Sequence, residues 1–240
     1  MPETTFNAAV ESRRSVRDFQ PDEVPGEVLD RCLDAARLAA SSSNLQPWEF
    51  VVIRDPAARA AANAACLDQA AATTAPVLIA VVAHLDTWRR NRDEILRTFR
   101  SRGPLRPSQA TYYNRIIPLV YTTGPFGLLG LVKKAASRLV SLFRPAPNLM
   151  SRADLRVLVH KSTALAAATF MLALRAEGFD SCPMEGFDPW RARALLGLPA
   201  GAEVSMFLAV GRRSDKGVWW DRVLMPRDWA VRTIPATPAA

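Results

Sequence analysis

Blocks of apolar residues with two different periods alternate along this chain and predict its helices and strands. Short apolar runs rich in β-branched residues predict three buried strands, at 48–53, 77–83 and 204–210. Apolar positions spaced three or four residues apart predict five helices, at 3–12, 24–40, 57–72, 160–178 and 189–196. Strands separated by helices predict a layered α/β or α+β domain.

The stretch DSCPMEGFDP, residues 180–189, is predicted to connect two of these helices. Pro183 fixes its own φ angle, and Gly186 frees the backbone from Cβ contacts. Such a segment is typical of a rigid turn. It can also hold main-chain N–H groups against a ligand, and these residues alone leave both alternatives open.

A second unusual segment lies before the helix predicted at 160–178. If residues 126–144 form a helix, their polar side chains fall within one arc of roughly 140° and apolar side chains fill the rest. The residues of the polar arc are Lys133, Lys134, Ser137, Arg138, Ser141 and Arg144. This helix can cover an active site, pack on a partner subunit or lie on an anionic membrane surface.

The composition is that of a folded globular protein. Of the 240 residues, 49% are hydrophobic and 22% charged, which excludes a disordered chain. The widely spaced Cys32, Cys66 and Cys182, with only two histidines, predict neither a disulfide framework nor a metal site. The longest apolar run, 75–83, is about half a membrane span, and the N-terminal residues lack an apolar stretch. We expect a cytoplasmic protein, with peripheral membrane contact left open.

Basic residues are concentrated in the centre of the chain. Residues 95–153 contain ten Lys and Arg and no acidic residue, which exceeds the net charge of +8 for the whole chain. The remainder is therefore close to neutral. Nucleic-acid binding also requires stacking aromatics or a recognition helix among the charges, and we predict none.

Three fragments carry the strongest functional signal: RRSVRDF (13–19), SSSNLQPWEFVVI (41–53) and CPMEGFD (182–188). In this order and spacing they resemble the FMN-dependent nitroreductase family. The resemblance covers residues 8 to about 95 and 155 to about 230, so 1–240 is predicted to be one domain with an insertion at about 97–153. It implies a nitroreductase-like α+β fold with a mixed sheet flanked by helices. It also implies an intertwined homodimer with FMN at the subunit interface.

The resemblance assigns FMN contacts in the first fragment and near the C-terminus. It implies phosphate contacts from Arg13 and Ser15, and a largely backbone contact from Arg14. Arg17 matches a position facing the ribityl chain and pyrimidine edge, where a cation favours reduced FMN. Arg222 is the nearest equivalent of a basic residue that completes the phosphate site, although its spacing differs from the family pattern. The alternative for the first fragment is a solvated basic turn.

The second fragment is implied to close over the FMN of the opposite subunit. Its candidate contacts are Ser41, Ser42, Asn44 and Gln46, whose side chains all carry hydrogen-bonding groups. The alternative is a helix C-terminal turn in which Asn44 only adopts a left-handed conformation.

The third fragment is implied to run beside the flavin ring. Its candidate contacts are Pro183, Met184, Glu185 and Gly186, with the main-chain N–H at Glu185 pointing at flavin N5. Proline and glycine suit this place because they hold the backbone close to a flat ring. No catalytic side chain is expected beyond these cofactor contacts.

The chain departs from the family pattern between residues 60 and 75. Many members carry an amide and a cation there for the pyrimidine edge, whereas Leu67 and Ala70 fall near those places here, with Gln69 the only polar substitute. The predicted function is transfer of two electrons from NAD(P)H through FMN to a small acceptor: a nitroaromatic, quinone or other conjugated molecule. The alternative is a membrane-peripheral or flavin-binding protein that keeps the fold without NAD(P)H turnover.

Overall fold

Four strands form one sheet in which all neighbouring strands are antiparallel. The computed structural model describes residues 5–147 and 149–234. Its strands are β1 (Trp48–Ile53), β2 (Val77–His84), β3 (Asp180–Met184) and β4 (Ala202–Gly211), in the order β1-β2-β4-β3. The α+β class is confirmed. In detail, parallel pairing among the described residues is limited to one bridge between Ser15 and Ser181.

Eleven α-helices accompany these strands in the described part of the chain. They are α1 (Phe6–Ser12), α2 (Gly26–Arg37), α3 (Pro56–Ala65), α4 (Ala70–Thr74), α5 (Trp88–Ser101), α6 (Pro107–Thr111), α7 (Ile117–Tyr121), α8 (Leu128–Ser141), α9 (Arg152–Ala176), α10 (Pro189–Leu196) and α11 (Arg227–Ala230). A π-helical turn, Tyr112–Ile116, joins α6 to α7, and 3₁₀ turns occupy Ser42–Asn44 and Pro125–Gly127. The first predicted helix included Glu3 and Thr4, which lie outside the described residues.

The core lies on both faces of the sheet, which explains why β2 is a continuous apolar run. On one face, α2 and α9 pack Leu29 and Phe170 against alternate residues of the central strands. On the other face, the small residues of α3 and α4 pack against Leu78 and Phe207. Since β2 is covered on both sides, residues 77–83 are all buried and apolar, and the polar His84 lies at the partly exposed end of the strand.

The prediction that residues 180–189 only connect two helices is wrong for the first half of this stretch, because residues 180–184 form β3. Ser181 pairs with Val210 and Cys182 with Ala209 on β4. Pro183 is tolerated because β3 is an edge strand of this sheet, where a missing N–H leaves no ladder partner unsatisfied.

Two predicted helices also differ from the structure. The helix at 57–72 is divided into α3 and α4, because Leu67 and Asp68 adopt left-handed φ angles of 58° and 50°. The helix expected from residue 160 begins eight residues earlier, at Arg152, since Ser151 and Asp154 form a capping box there. The other predicted helices and strands are confirmed, with ends shifted by up to three residues.

The central amphipathic helix exists as α8, and two of its basic side chains, Lys133 and Lys134, contact the protein. Lys133 Nζ donates to the carbonyls of Leu119 and Thr122, the latter at 2.5 Å. Lys134 Nζ lies 2.7 and 2.6 Å from the carboxylate oxygens of Asp154. Hydrogen bonds from Lys134 and Ser151 lower the pKa of Asp154 to about 2. Lys134, which the sequence placed on the polar arc, therefore ties the middle of α8 to the first turn of α9.

By length and composition, α9 could cross a membrane. The helical segments Pro107–Tyr121 and Pro125–Ser141, taken together, are also long and apolar enough to do so. In this fold α9 is a core helix, because it packs against α1, α2 and the sheet and buries Phe170 and Leu174 completely. The segments Pro107–Tyr121 and Pro125–Ser141 meet at 76°.

Candidate functional site

Four arginines line a single pocket of about 530 Å³ beside the end of α1. Arg13, Arg14 and Arg17 come from the segment that follows α1, and Arg222 comes from the C-terminal segment. Asp221 is the acidic residue among the lining residues. The structure therefore brings together the four arginines for which the resemblance implies FMN contacts, with Ser15 among them.

The segment carrying these arginines is held in place as an extra extended strand beside β3. Val16 N donates to Ser181 O at 3.1 Å, and Arg17 N donates to Gly217 O at 2.8 Å. Val16 is completely buried. Because side chains alternate along an extended chain, burial of Val16 turns Ser15 and Arg17 away from the core and toward the pocket.

A buried carboxylate fixes the elements around this segment. Asp180, whose side chain is 3% exposed, lies 2.9 Å from Arg213 Nε, 2.5 Å from Arg213 Nη2 and 3.1 Å from Arg175 Nη1. The two arginines also reach Ser12, through its hydroxyl and its carbonyl. Hydrogen bonding to Asp180 raises the pKa of Arg213 above its ordinary value. Asp180 therefore links β3, β4 and α9 to the residue that immediately precedes Arg13.

The guanidinium groups in the pocket are not equivalent. Arg14 donates to the carbonyl of Trp220, and Arg222 donates to the carbonyl of Arg13. The guanidinium of Arg13 has no hydrogen-bond partner among the described residues, although it lines the pocket. Arg13 is thus the arginine with most donors available for an anionic ligand.

Arg17 lies between the basic pocket and two tryptophans. Its guanidinium carbon is 5.4 Å from the ring centroid of Trp219 and 5.3 Å from that of Trp220. Both distances are within the range of a cation–π interaction. Trp219 and Trp220 are half to two-thirds exposed, so the C-terminal segment presents aromatic surface at the pocket mouth.

A narrower pocket of about 220 Å³ continues from the basic one, since both are lined by Arg17 and Trp219. Pro183 and Met184 line it from β3, and Gln69 lines it from the turn before α4. Met184 is 3% exposed, and its side chain belongs to the core. The two pockets together form one candidate site, whose charged end is the arginine pocket and whose narrow end is the pocket beside Pro183.

Gln69 also holds the exposed backbone that follows β3. Its Nε2 donates to Gly186 O at 2.5 Å and to Cys66 O at 2.9 Å. Glu185 and Gly186 are exposed and do not line the narrow pocket, but this bond places them beside it. The polar substitute noted in the sequence thus acts on the Glu185–Gly186 backbone.

The serine-rich loop lines neither the arginine pocket nor the narrow pocket. Ser42 N donates to Ser162 Oγ on α9 at 3.3 Å, and Gln46 N donates to Ser41 Oγ at 3.0 Å. Asn44 Oδ1 accepts from Gln46 Nε2 at 3.1 Å. Ser43, Asn44 and Gln46 all have left-handed φ angles, between 44° and 55°. Such conformations cost energy in non-glycine residues and cluster at ligand sites.

All three tyrosines of the chain bond to this loop from the central insertion. Tyr121 OH donates to Ser42 Oγ at 2.8 Å, Tyr112 OH lies 2.9 Å from Ser43 Oγ, and Tyr113 OH donates to Ser43 O at 3.4 Å. Tyr113 and Tyr121 are buried, and burial raises the pKa of Tyr113. We call this arrangement the tyrosine clasp.

We expect Tyr121→Phe to lower the free energy of unfolding by about 1 kcal/mol, because it removes one buried hydrogen bond and leaves the ring in place. Tyr112→Phe is the matched control; as this ring is 36% exposed, the change should stay within about 0.5 kcal/mol. Urea unfolding midpoints measure both. Equal stability of the two variants would contradict a clasp that depends on Tyr121.

Sequence reasoning did not assign several of these residues. Asp180 lies in the quoted stretch 180–189 but was given no role, and Arg213, Trp219 and Trp220 were assigned to no site. The tyrosines lie in the unmatched insertion. The sequence signal for the carboxylate was an acidic residue in the apolar surroundings of β3, where an unpaired charge is costly.

A comparison with known protein families identifies the chain over most of its length. The model of the nitroreductase family matches residues 10–212. Among curated proteins, the chain is 30% identical over 217 residues to a protein of Thermus thermophilus named NADH dehydrogenase, covering 90% of this chain and 91% of the relative. It is 30% identical over 212 residues to Protein DrgA of Synechocystis, and this match covers 88% of this chain and 85% of the relative.

Solved structures share the fold. A protein of Exiguobacterium sibiricum assigned to the nitroreductases and crystallised with FMN superimposes with a TM-score of 0.70 at 22% identity, covering 98% of this chain and 99% of the other. A nitroreductase family protein of Streptococcus pneumoniae gives a TM-score of 0.69 at 20% identity, covering 96% and 100%.

Proposed function

Because this chain belongs to the nitroreductase family of oxidoreductases, we propose that it binds FMN and passes two electrons from NAD(P)H to a nitroaromatic, quinone or other conjugated acceptor. The observation that carries this proposal is the four-arginine pocket opening into the narrow pocket beside Pro183. The FMN in the Exiguobacterium sibiricum structure supports the choice of cofactor.

The charged end fits a phosphate. Four arginines against Asp221 leave an excess of positive charge, and the pocket volume of about 530 Å³ lies within the range of small-molecule sites. Arg13 would hold the phosphate through its planar fork, because its guanidinium has no other partner among the described residues. Ser15 would add a hydroxyl donor, and Arg222 would close the site from the C-terminal segment.

The narrow end fits a flat ring system. Pro183 and Met184 line one side of the narrow pocket with apolar atoms, and Trp219 adds an aromatic surface. Bound FMN would supply two-electron transfer between a nicotinamide and an acceptor. Arg17 would place a positive charge where the two pockets meet, and Gln69 would orient the Glu185–Gly186 backbone through its bond to Gly186 O.

We further propose that the serine-rich loop completes the site of a second subunit. Ser41, Ser42, Asn44 and Gln46 do not line the arginine pocket or the narrow pocket of their own chain. The tyrosine clasp nevertheless holds the loop in one shape, in which Ser43, Asn44 and Gln46 are left-handed. A homodimer in which the loop meets the partner's FMN accounts for both observations.

The test is to reconstitute the purified protein with FMN or FAD and to titrate it anaerobically with NADH and with NADPH. We expect stoichiometric FMN, because the pocket holds one arginine cluster and the sequence has no G-x-G-x-x-G fingerprint after a strand. Bleaching of the flavin absorbance by a reduced nicotinamide would follow. Stoichiometric FAD instead of FMN would contradict the cofactor assignment. FMN binding with no bleaching by either donor would favour the alternative of a binding protein without turnover.

A further inference from the structure

We propose that the outer face of the central insertion docks on an anionic lipid bilayer, with α8 lying in the plane of the surface. This inference is independent of the proposed redox function. It starts from an apolar surface that the fold leaves uncovered, which we call the α8 face. Its most exposed side chains are Phe126, Leu128, Leu131, Val132, Leu139, Leu142 and Phe143, with exposures of 57–96%.

The orientation of α8 is the reverse of that of an ordinary surface helix. A surface helix usually turns its apolar side inward and its charges outward. Here Lys133 and Lys134 point inward, where they bond to the α7 carbonyls and to Asp154. These polar contacts therefore direct the apolar side outward. Soluble monomers rarely expose an apolar surface of this kind unless it binds a partner.

The surrounding charge selects the kind of partner. Of the ten basic residues at 95–153, Arg97 pairs with Glu94 and Lys134 with Asp154. The other arginines are exposed and have no carboxylate partner among the described residues: Arg100, Arg102, Arg106, Arg115, Arg138, Arg144 and Arg152. Arg138 lines the same shallow groove as Leu131, Leu139 and Leu142. An exposed apolar surface with the unpaired Arg138 in its groove, in a segment whose other unpaired arginines are also exposed, matches a headgroup layer that carries negative charge.

The fold argues against two other occupants. Asp154, which holds Lys134, is 18 residues along α9 from Leu172 in the arginine pocket, or about 27 Å at 1.5 Å per residue. The middle of α8, at Lys134, is therefore held far from the arginine pocket of its own chain. A second copy seated face to face on this groove would bury the unpaired Arg138 of each copy in one shared interface, and like charges across an interface are unfavourable.

The geometry indicates surface contact rather than a span. With 14 residues, α8 is about 21 Å long, shorter than the hydrocarbon core. The helices on either side of Pro125 meet at 76°, so they do not form one straight segment. An in-plane helix buries one apolar face, which is the arrangement that the α8 face provides.

The test is co-sedimentation of the full-length protein with phosphatidylcholine vesicles, with and without phosphatidylserine, at low and high salt. We expect binding to the anionic vesicles that weakens as salt rises. The double variant Arg138→Gln, Arg144→Gln should bind about 30-fold more weakly, since each cation near the surface contributes about 1 kcal/mol. Leu142→Ser with Phe143→Ser should weaken binding at least as much, and these exposed positions should leave the thermal midpoint unchanged.

Matched controls lie outside the insertion. Leu38→Ser with Trp190→Ser changes two residues that are 87% and 81% exposed, and Lys216→Gln with Arg232→Gln removes two exposed cations. Both controls should bind vesicles like the original protein. The proposal is overturned if the original protein does not pellet with anionic vesicles at low salt, or if the controls lose as much binding as the α8 variants. Failure to pellet combined with altered acceptor kinetics in the α8 variants would assign the face to a partner's active site instead.

Discussion

Replacing Asp180 with alanine is expected to lower the free energy of unfolding by about 3 kcal/mol, the largest effect on stability that we predict for one side chain. The carboxylate is 3% exposed and accepts hydrogen bonds from both Arg175 and Arg213. Its removal would leave two partly buried cations without their counter-charge, which costs more than the ion pair itself contributes. For a chain of this size, the thermal midpoint should fall by roughly 6–12 °C.

Asp34→Ala is the matched control for this prediction. Asp34 also pairs with an arginine, Arg37, but both side chains are more than two-thirds exposed. Exposed pairs contribute about 0–1 kcal/mol, so this variant should unfold close to the original midpoint. Urea unfolding with equal m-values for the two proteins gives the comparison. Similar stabilities for the two variants would show that Asp180 is not the link between β3, β4 and α9 that the structure indicates.

Replacing Arg13 with alanine is expected to weaken FMN binding by about 10- to 150-fold. Loss of one charge-assisted contact to phosphate costs about 1.5–3 kcal/mol. Stability should change little, since the Arg13 guanidinium bonds to no other described residue. Quenching of the fluorescence of Trp219 and Trp220, which flank the pocket, provides the binding signal.

Two comparisons make this result specific to the phosphate. Riboflavin lacks the phosphate, so its weaker affinity should be the same for the original protein and for Arg13→Ala. Arg191→Ala removes an exposed arginine outside both pockets and should leave FMN affinity unchanged. An Arg13→Ala protein that loses affinity for both flavins equally would place Arg13 outside the phosphate site. Unchanged affinity for FMN would remove it from the site altogether.

Much of the fold could be predicted because its signals are local. The strand at 48–53 was predicted with its observed ends, since β-branched residues end there at a turn before Pro56. The helix at 189–196 was also predicted with its observed ends, bounded by Pro189 and Gly197. The arginines of the first fragment were found together in one pocket because they are neighbours in the chain.

The errors occurred where distant residues decide the local structure. Residues 180–184 form a strand because they pair with β4, which is distant in the sequence. A five-residue run that contains proline does not by itself predict a strand. The division between α3 and α4 depends on left-handed Leu67 and Asp68, and leucine rarely adopts this conformation without tertiary support. The intertwined dimer and the cytoplasmic location stay predictions.

The sequence by itself determined which segments are candidates for the proposed site: the arginines after α1, the Pro-Met-Glu-Gly segment and the serine-rich loop. It also determined that the central helix has an apolar side and a basic side, because side-chain order along a helix follows from its period alone. Only the tertiary structure decided which side faces outward. The free energy of bonding Lys133 and Lys134 to carbonyls and to Asp154 depends on where α7 and α9 lie, and no local pattern encodes those positions.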